Sequence, residues 1–191
     1  MNVVLLSLPI HPSVDRETMK LVPPLGIYIL AGILREHGYH VETYDHQFLL
    51  DLYGKAWDEE AISDLVDNVD VVGISVNSFT WGMGREMIDI IKRCPHSPYV
   101  VCGGVHPTFY DEYILKSTQA DAVILGDGEE VIIQLIDALN GKGKLENIKN
   151  LSYKKNSIIY RNRYEAYKVF KDYGVPAYDL IRENVYFNVA V

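Results

Sequence analysis

The chain has 191 residues, 48% of them hydrophobic and 23% charged, and a net charge of −8. That suits one domain of ordinary size plus an appendage, with no apolar run long enough to span a bilayer. The acidic balance argues against nucleic-acid binding, and the two cysteines, Cys94 and Cys102, are too few for a disulfide framework, so the cytoplasm is the expected compartment.

Taken in chain order, the pattern alternates strand and helix. Asn2–Leu8 is a continuous apolar strand, without the basic flank and cleavage site of a signal peptide. Pro24–Gly38 reads as a helix with an apolar face at Leu25, Tyr28, Ile29, Gly32 and Ile33, ended by Gly38. Tyr39–Tyr44 is a second strand. Trp57–Asn68, acidic in its first turn, is an amphipathic helix, and Val69–Val76 is a buried strand. Trp81–Cys94 is a helix stopped by Pro95, Tyr99–Cys102 a short buried strand, and Pro107–Ser117 a helix with proline at its start. Ala120–Leu125 and Gly128–Leu139 complete a fifth strand and helix.

Strands apolar on both faces and separated by helices imply a parallel sheet covered on both sides. The expected fold is therefore α/β: a flavodoxin-like, doubly wound, five-stranded parallel sheet over residues 1–140, with strand order 2-1-3-4-5. Residues 141–191 are expected to form a small C-terminal β-hairpin and a linker, the hairpin spanning Asn150–Arg161 and turning at Lys155-Asn156. The charge changes at the same boundary. Through residue 140 there are 8 basic against 21 acidic residues, and after it 10 against 5, so the basic tail is expected to pack on the acidic body or on another domain. The chain stops on the strand-like Tyr186–Val191, which suggests a piece of a longer protein.

In such a fold all the strand-to-helix loops meet at one sheet edge, and ligands bind where the strand order reverses. Loops one, three, four and five are expected to line that place: Pro9–Pro23, Asn77–Trp81, Gly103–Thr108 and Gly126–Glu130. Loop two, Asp45-His46-Gln47, lies to the side. No Gly-x-x-x-x-Gly-Lys-Ser/Thr phosphate loop is present, and no Gly-x-Gly-x-x-Gly follows the first strand. A phosphoacceptor receiver is excluded too, because Ser7-Leu8-Pro9 and Val76-Asn77-Ser78 stand where its acidic residues belong.

Four strings in order carry a resemblance: Pro23–Asp45, Asp70–Ser75, Gly103–Thr108 and Gly126–Glu130. Together they resemble the N-terminal cobalamin (B12)-binding domain of B12-dependent radical S-adenosylmethionine enzymes over roughly the first 140 residues. The resemblance implies a corrinoid lying on the loop edge with its nucleotide tail inserted along the sheet. Ser75, Asn77, Ser78 and Phe79 would lie under the corrin. Gly103 and Gly104 would let the backbone approach, with His106, Pro107 and Thr108 on the same wall. Gly126, Asp127, Gly128 and Glu129 would contact the nucleotide or the corrin amides.

Two departures shape the expectation. The Asp-x-His-x-x-Gly motif whose histidine ligates cobalt in mutases and methionine synthases is missing, so the resemblance implies base-off binding without histidine ligation. The Cys-x-x-x-Cys-x-x-Cys of a [4Fe–4S] site is missing as well. The chain is then a module without catalytic residues of its own, its partner a radical S-adenosylmethionine domain in cis that carries the cluster and S-adenosylmethionine. Methyl transfer, or related radical chemistry, is the activity implied. A cofactor-free docking scaffold of the same fold is the alternative, with a flavin mononucleotide carrier a weaker third. Blander roles stand beside these: His46 as a surface residue, Glu129 and Glu130 as helix-dipole partners, Cys94, Cys102, Trp57 and Trp81 as packing residues, and the tail tyrosines as an interface.

Overall fold

The computed structural model describes residues 1–8, 23–45, 59–166 and 172–181. His46 and Trp57 lie outside the described residues, as does most of the first loop. The elements run β1 (Asn2–Ser7), α1 (Leu25–Glu36), β2 (His40–Tyr44), α2 (Glu59–Val66), β3 (Val71–Ser75) and α3 (Trp81–Arg93). They continue β4 (Tyr99–Gly103), α4 (Val105–Ser117), β5 (Ala122–Ile124), α5 (Glu129–Leu139), β6 (Leu151–Lys155) and β7 (Ile158–Arg161). Among the described residues no helix is long and apolar enough to cross a membrane.

The protein is an α/β fold on one seven-stranded sheet in the order β2-β1-β3-β4-β5-β6-β7. β1 to β5 are parallel; β6 and β7 are antiparallel. The expected sheet of five strands is thus too small. The hairpin does not stand apart, because β6 pairs with the otherwise open edge of β5, Ala122 opposite Tyr153 and Ile124 opposite Leu151. Covering an edge in this way satisfies a row of backbone groups that would otherwise template aggregation.

The hairpin turn also falls one residue later than expected. Asn156 and Ser157, not Lys155 and Asn156, are the two loop residues, both with positive φ (52° and 64°). A two-residue hairpin loop of this kind matches the right-handed twist of its strands, and asparagine tolerates the left-handed conformation.

The core divides by strand alternation. Val4 and Leu6 of β1 face α2, α3 and α4, packing with Ile62, Ile88 and Ile114. Val3 and Leu5 face the other way, toward Ile27 and Tyr28 of α1 and Ile132 and Leu135 of α5. Lys92 and Arg93 close α3 with charge that suits its C-terminal dipole.

Past the hairpin, residues 172–181 lie across the outer face of α1. The Ala177 N–H donates to the Tyr28 carbonyl at 2.9 Å, and Ala177 is buried. Gly32 makes this approach possible, since a Cβ there would stand 2.7 Å from the Val175 carbonyl oxygen. Arg35 forks onto Asp179 at 2.9 and 2.7 Å. The expected charge pattern is reversed at this contact: the body supplies the cation and the tail the anion. At the hairpin the expected direction holds, with Arg161 3.1 Å from Asp111.

Candidate functional site

β1 and β3 are neighbours, yet their chains leave to opposite sides of the sheet, α1 to one face and α3 to the other. A crevice at the strand ends is the consequence of that divergence. On the α1 face it widens into a cleft of about 220 Å³. Gly26, Ile27 and Leu30 of α1 form one wall and Ile132 of α5 the other, with Glu129, the first residue of α5, at the rim above it. The floor is Leu5, Gly73, Val101 and Ile124. Ser75, Gly103, Gly104, Gly126, Asp127 and Gly128 form the rim.

Absent side chains make the cleft. Gly73 sits mid-strand, where a Cβ would stand 2.7 Å from Leu5 Cδ2. Gly103 faces open space. Gly104 is held at φ 104° and ψ −172°, a region essentially closed to other residues, and a Cβ on it would lie 2.6 Å from the Val76 carbonyl oxygen. The close packing of two loop backbones therefore depends on this glycine. Across the cleft, Leu30 comes within 3.6 Å of the point a Gly128 Cβ would occupy.

Seven of the residues singled out in the sequence line the cleft: Ser75, Gly103, Gly104, Gly126, Asp127, Gly128 and Glu129. Glu129 Oε2 is buried and has no hydrogen-bond partner among the described residues, which leaves an unpaired acceptor on a residue that lines the cleft. The other six do not line it. Asn77 spends its side-chain oxygen on its own turn, accepting from the N–H groups of Phe79 at 2.8 Å and Thr80 at 3.1 Å.

His106 is not a loop residue as expected, and Pro107 and Thr108 sit further into the helix than expected. α4 begins at Val105, so all three sit in its first turn, and Pro107 is tolerated there because a first-turn N–H has no helical acceptor to lose. His106 stacks between Trp81 (5.0 Å between ring centres) and Tyr110 (4.7 Å), with Nδ1 3.2 Å from Ser78 Oγ. Its Nε2 is buried without a partner, and burial lowers its pKa from the ordinary 6.5, so the neutral ring is favoured. Thr108 joins two rim loops. Its Oγ1 donates to the Gly104 carbonyl at 2.8 Å and accepts from the Gly126 N–H at 2.9 Å.

Beside the cleft mouth the surface is apolar: Phe79 is 82% exposed, Val105 65% and Phe109 75%. Large exposed side chains grouped on a loop and the start of the neighbouring helix α4 mark a surface that meets a partner or a large ligand. The cysteines are structural. Both are buried, and burial raises the Cys102 thiol to about 12.

Sequence reasoning missed the α1 wall, Ile132 and Gly73. The last had a signal, since a glycine inside an apolar strand marks a close approach. The walls had none, because their residues are ordinary core types.

A doubly wound sheet with a glycine-rimmed cleft at its switch point defines a nucleotide- or cofactor-binding α/β module. The chain belongs to the B12-binding domain family, whose model matches residues 15–136. An uncharacterized methyltransferase of Pyrococcus horikoshii is 29% identical over 97% of this chain, and this chain spans 40% of that protein. The fold is shared with the radical S-adenosylmethionine methyltransferase TsrM from Kitasatospora setae (TM-score 0.67, 20% identity, covering 85% of this chain and 30% of that one). It is shared equally with the cobalamin-dependent radical enzyme OxsB in its aqua-cobalamin complex (TM-score 0.67, 22% identity, 87% and 22%). This chain is therefore a B12-binding domain, and it spans less than half the length of these relatives.

Proposed function

We propose that this chain is the cobalamin-carrying module of a longer radical S-adenosylmethionine enzyme that transfers a methyl group. The observation that carries the reading is the cleft itself: apolar, glycine-floored and placed between α1 and α5 at the switch point. When bound, the corrinoid supplies a cobalt centre that holds and releases a methyl group, while the protein supplies position and surroundings.

In this reading the nucleotide tail enters the cleft over Gly73, and the corrin covers the rim. Gly103 and Gly104 present backbone without side-chain bulk. Glu129 accepts from a hydroxyl or amide of the cofactor, which gives its unpartnered oxygen a role. Ser75, Asn77, Ser78 and Phe79 support the ring from below, and Asp127 and the glycines beside it meet its amides. His106, Pro107 and Thr108 act from behind: Thr108 holds the β4 and β5 loops together, and the His106 stack fixes the loop carrying Ser78.

Binding is base-off without histidine ligation. His106 supports this, because its ring is stacked between two aromatic residues and Nδ1 is engaged by Ser78. The cluster and S-adenosylmethionine belong to a further domain in cis, reached through residues 141–191. Two features favour that side. Residues 162–166 leave the hairpin at the rim edge, the Asn150 side chain bonding Glu165 N–H and carbonyl at 2.6 and 2.9 Å. There the Tyr164 hydroxyl lies 3.6 Å from the Gly126 Cβ position.

The test is a hydroxocobalamin titration of the purified chain, followed by gel filtration and a visible spectrum. Retained corrinoid with a base-off spectrum is the expected result. No retained corrinoid from a chain whose far-UV circular dichroism shows intact fold would instead favour the cofactor-free scaffold.

A further inference from the structure

Below its rim the cleft presents no polar side chain among the described residues. Leu5, Ile27, Leu30, Val101, Ile124 and Ile132 line its depth. The backbone of the floor is equally closed to a guest. Leu5 pairs with Gly73, and Gly73 with Val101, so ladder groups point along the sheet toward neighbouring strands. Polar lining is confined to the rim: Ser75 ends β3, and Asp127 and Glu129 follow β5. At the centre of the floor, Gly73 lets the Leu5 side chain lie close over the strand, and a methyl group there would stand 2.7 Å from Leu5 Cδ2 and push that side chain toward the guest.

We propose that this cleft selects the nucleotide base of the corrinoid it takes, accepting an apolar benzimidazole and rejecting a purine. The inference rests on the reading above that the nucleotide tail enters the cleft. Its reason is an accounting of polar groups. A benzimidazole joined to its sugar keeps one ring nitrogen as an acceptor. Adenine joined in the same way keeps three ring nitrogens and an amine. In the depth of this cleft those extra groups meet only aliphatic carbon, and a polar group taken from water without a partner carries a penalty. The dimethyl edge of the benzimidazole gains from the same contacts. Glu129 does not offset the difference for the purine, because it opens α5 at the rim and in the reading above is taken up by a hydroxyl or amide outside the base.

The experiment titrates the chain with three corrinoids: hydroxocobalamin, its adenine-bearing counterpart, and cobinamide, which has no nucleotide tail. Affinity is read from the visible spectrum and by calorimetry. Cobalamin is expected to bind at least about tenfold tighter than the adenine corrinoid, the order set by one or more unpaired polar groups. Cobinamide is expected to bind more weakly than cobalamin. Gly73→Ala, with its fold checked by thermal melting, is expected to reduce the ratio of cobalamin to cobinamide affinity. Equal or tighter binding of the adenine corrinoid would overturn the selection, and a selective loss of that binding in Glu129→Gln would show the carboxylate reaching the amine. Cobinamide binding as tightly as cobalamin, with Gly73→Ala leaving the ratio unchanged, would instead show the tail lying outside the cleft and overturn the placement. If none of the three binds, the cobalamin reading itself falls, and the selection with it.

Discussion

The two faces of the sheet are built from the same strands and finished differently. On the face of α2, α3 and α4 the side chains interdigitate: Met87, Ile88, Ile91, Ile62 and Ile114 are all fully buried. On the face of α1 and α5 the strands supply a glycine where the other face has isoleucine or valine, and the helices stand apart at their N-terminal ends, leaving the cleft. One face is optimised for stability. The other gives up packing to make room, and it is steadied from behind by the 172–181 segment lying on α1 at Gly32. The lesson is that a binding face in this fold is recognised by what its strands omit.

The contrast yields ranked expectations. Ile88→Ala, on the filled face, is expected to lower stability by about 2–5 kcal/mol, because a closely packed site cannot collapse around the void. Urea denaturation measures this, and cobalamin affinity of the folded fraction should be unchanged. A loss of affinity equal to that of rim variants would erase the distinction between faces.

Gly104→Ala comes next. It forces a residue into a glycine-only conformation and sets a methyl group 2.6 Å from the Val76 carbonyl oxygen, so about 1–3 kcal/mol of stability should go. Cobalamin retention should fall with it, because the rim backbone moves. Retention unchanged at full occupancy would place the corrin elsewhere.

Thr108→Val keeps the shape and removes the bond to Gly126. A part-buried N–H left without its acceptor costs about 1–3 kcal/mol when water cannot replace it, and less at a rim that water reaches. The sharper readout is a faster cobalamin off-rate at a temperature where the variant stays fully folded, which a residue important only for folding would not give.

The smallest effect is pH-dependent. His106 has a pKa lowered by burial, so below the ordinary value of 6.5 an unfolded chain takes up a proton that the folded chain resists. Stability contributed by the neutral ring is present above pH 6.5 and declines as pH falls from there toward the lowered folded value. Melting curves across that window should show a steeper decline for the wild type than for His106→Phe, which keeps the stack with Trp81 and Tyr110. Parallel curves would mean the ring does not titrate differently on folding.

The rim illustrates how far sequence reaches into a site. Gly103, Gly104 and the Gly126–Glu129 string are legible because a glycine pair after a buried strand has few uses other than a tight turn or a close approach. The resemblance puts Thr108 on a wall, but its bond to Gly126, eighteen residues away, is not legible in either string. Proline at position 107 reads as a first helical residue and puts His106 in a loop, whereas the helix starts two residues earlier and accommodates the proline in its first turn. Gly73 is hidden within an apolar run.

By itself the sequence determined the alternation of elements, the parallel strands and the edge on which the loops gather, because periodicity, capping and right-handed crossovers are local rules that repeat along the chain. Only the tertiary structure decided that the hairpin would extend the sheet to seven strands, that the tail would cross α1 at Gly32, and that aliphatic residues from α1, α5 and the sheet would leave a cleft between them. Those features depend on where surfaces distant in sequence meet, and an aliphatic side chain carries no local mark of whether its neighbour will be another side chain or an opening.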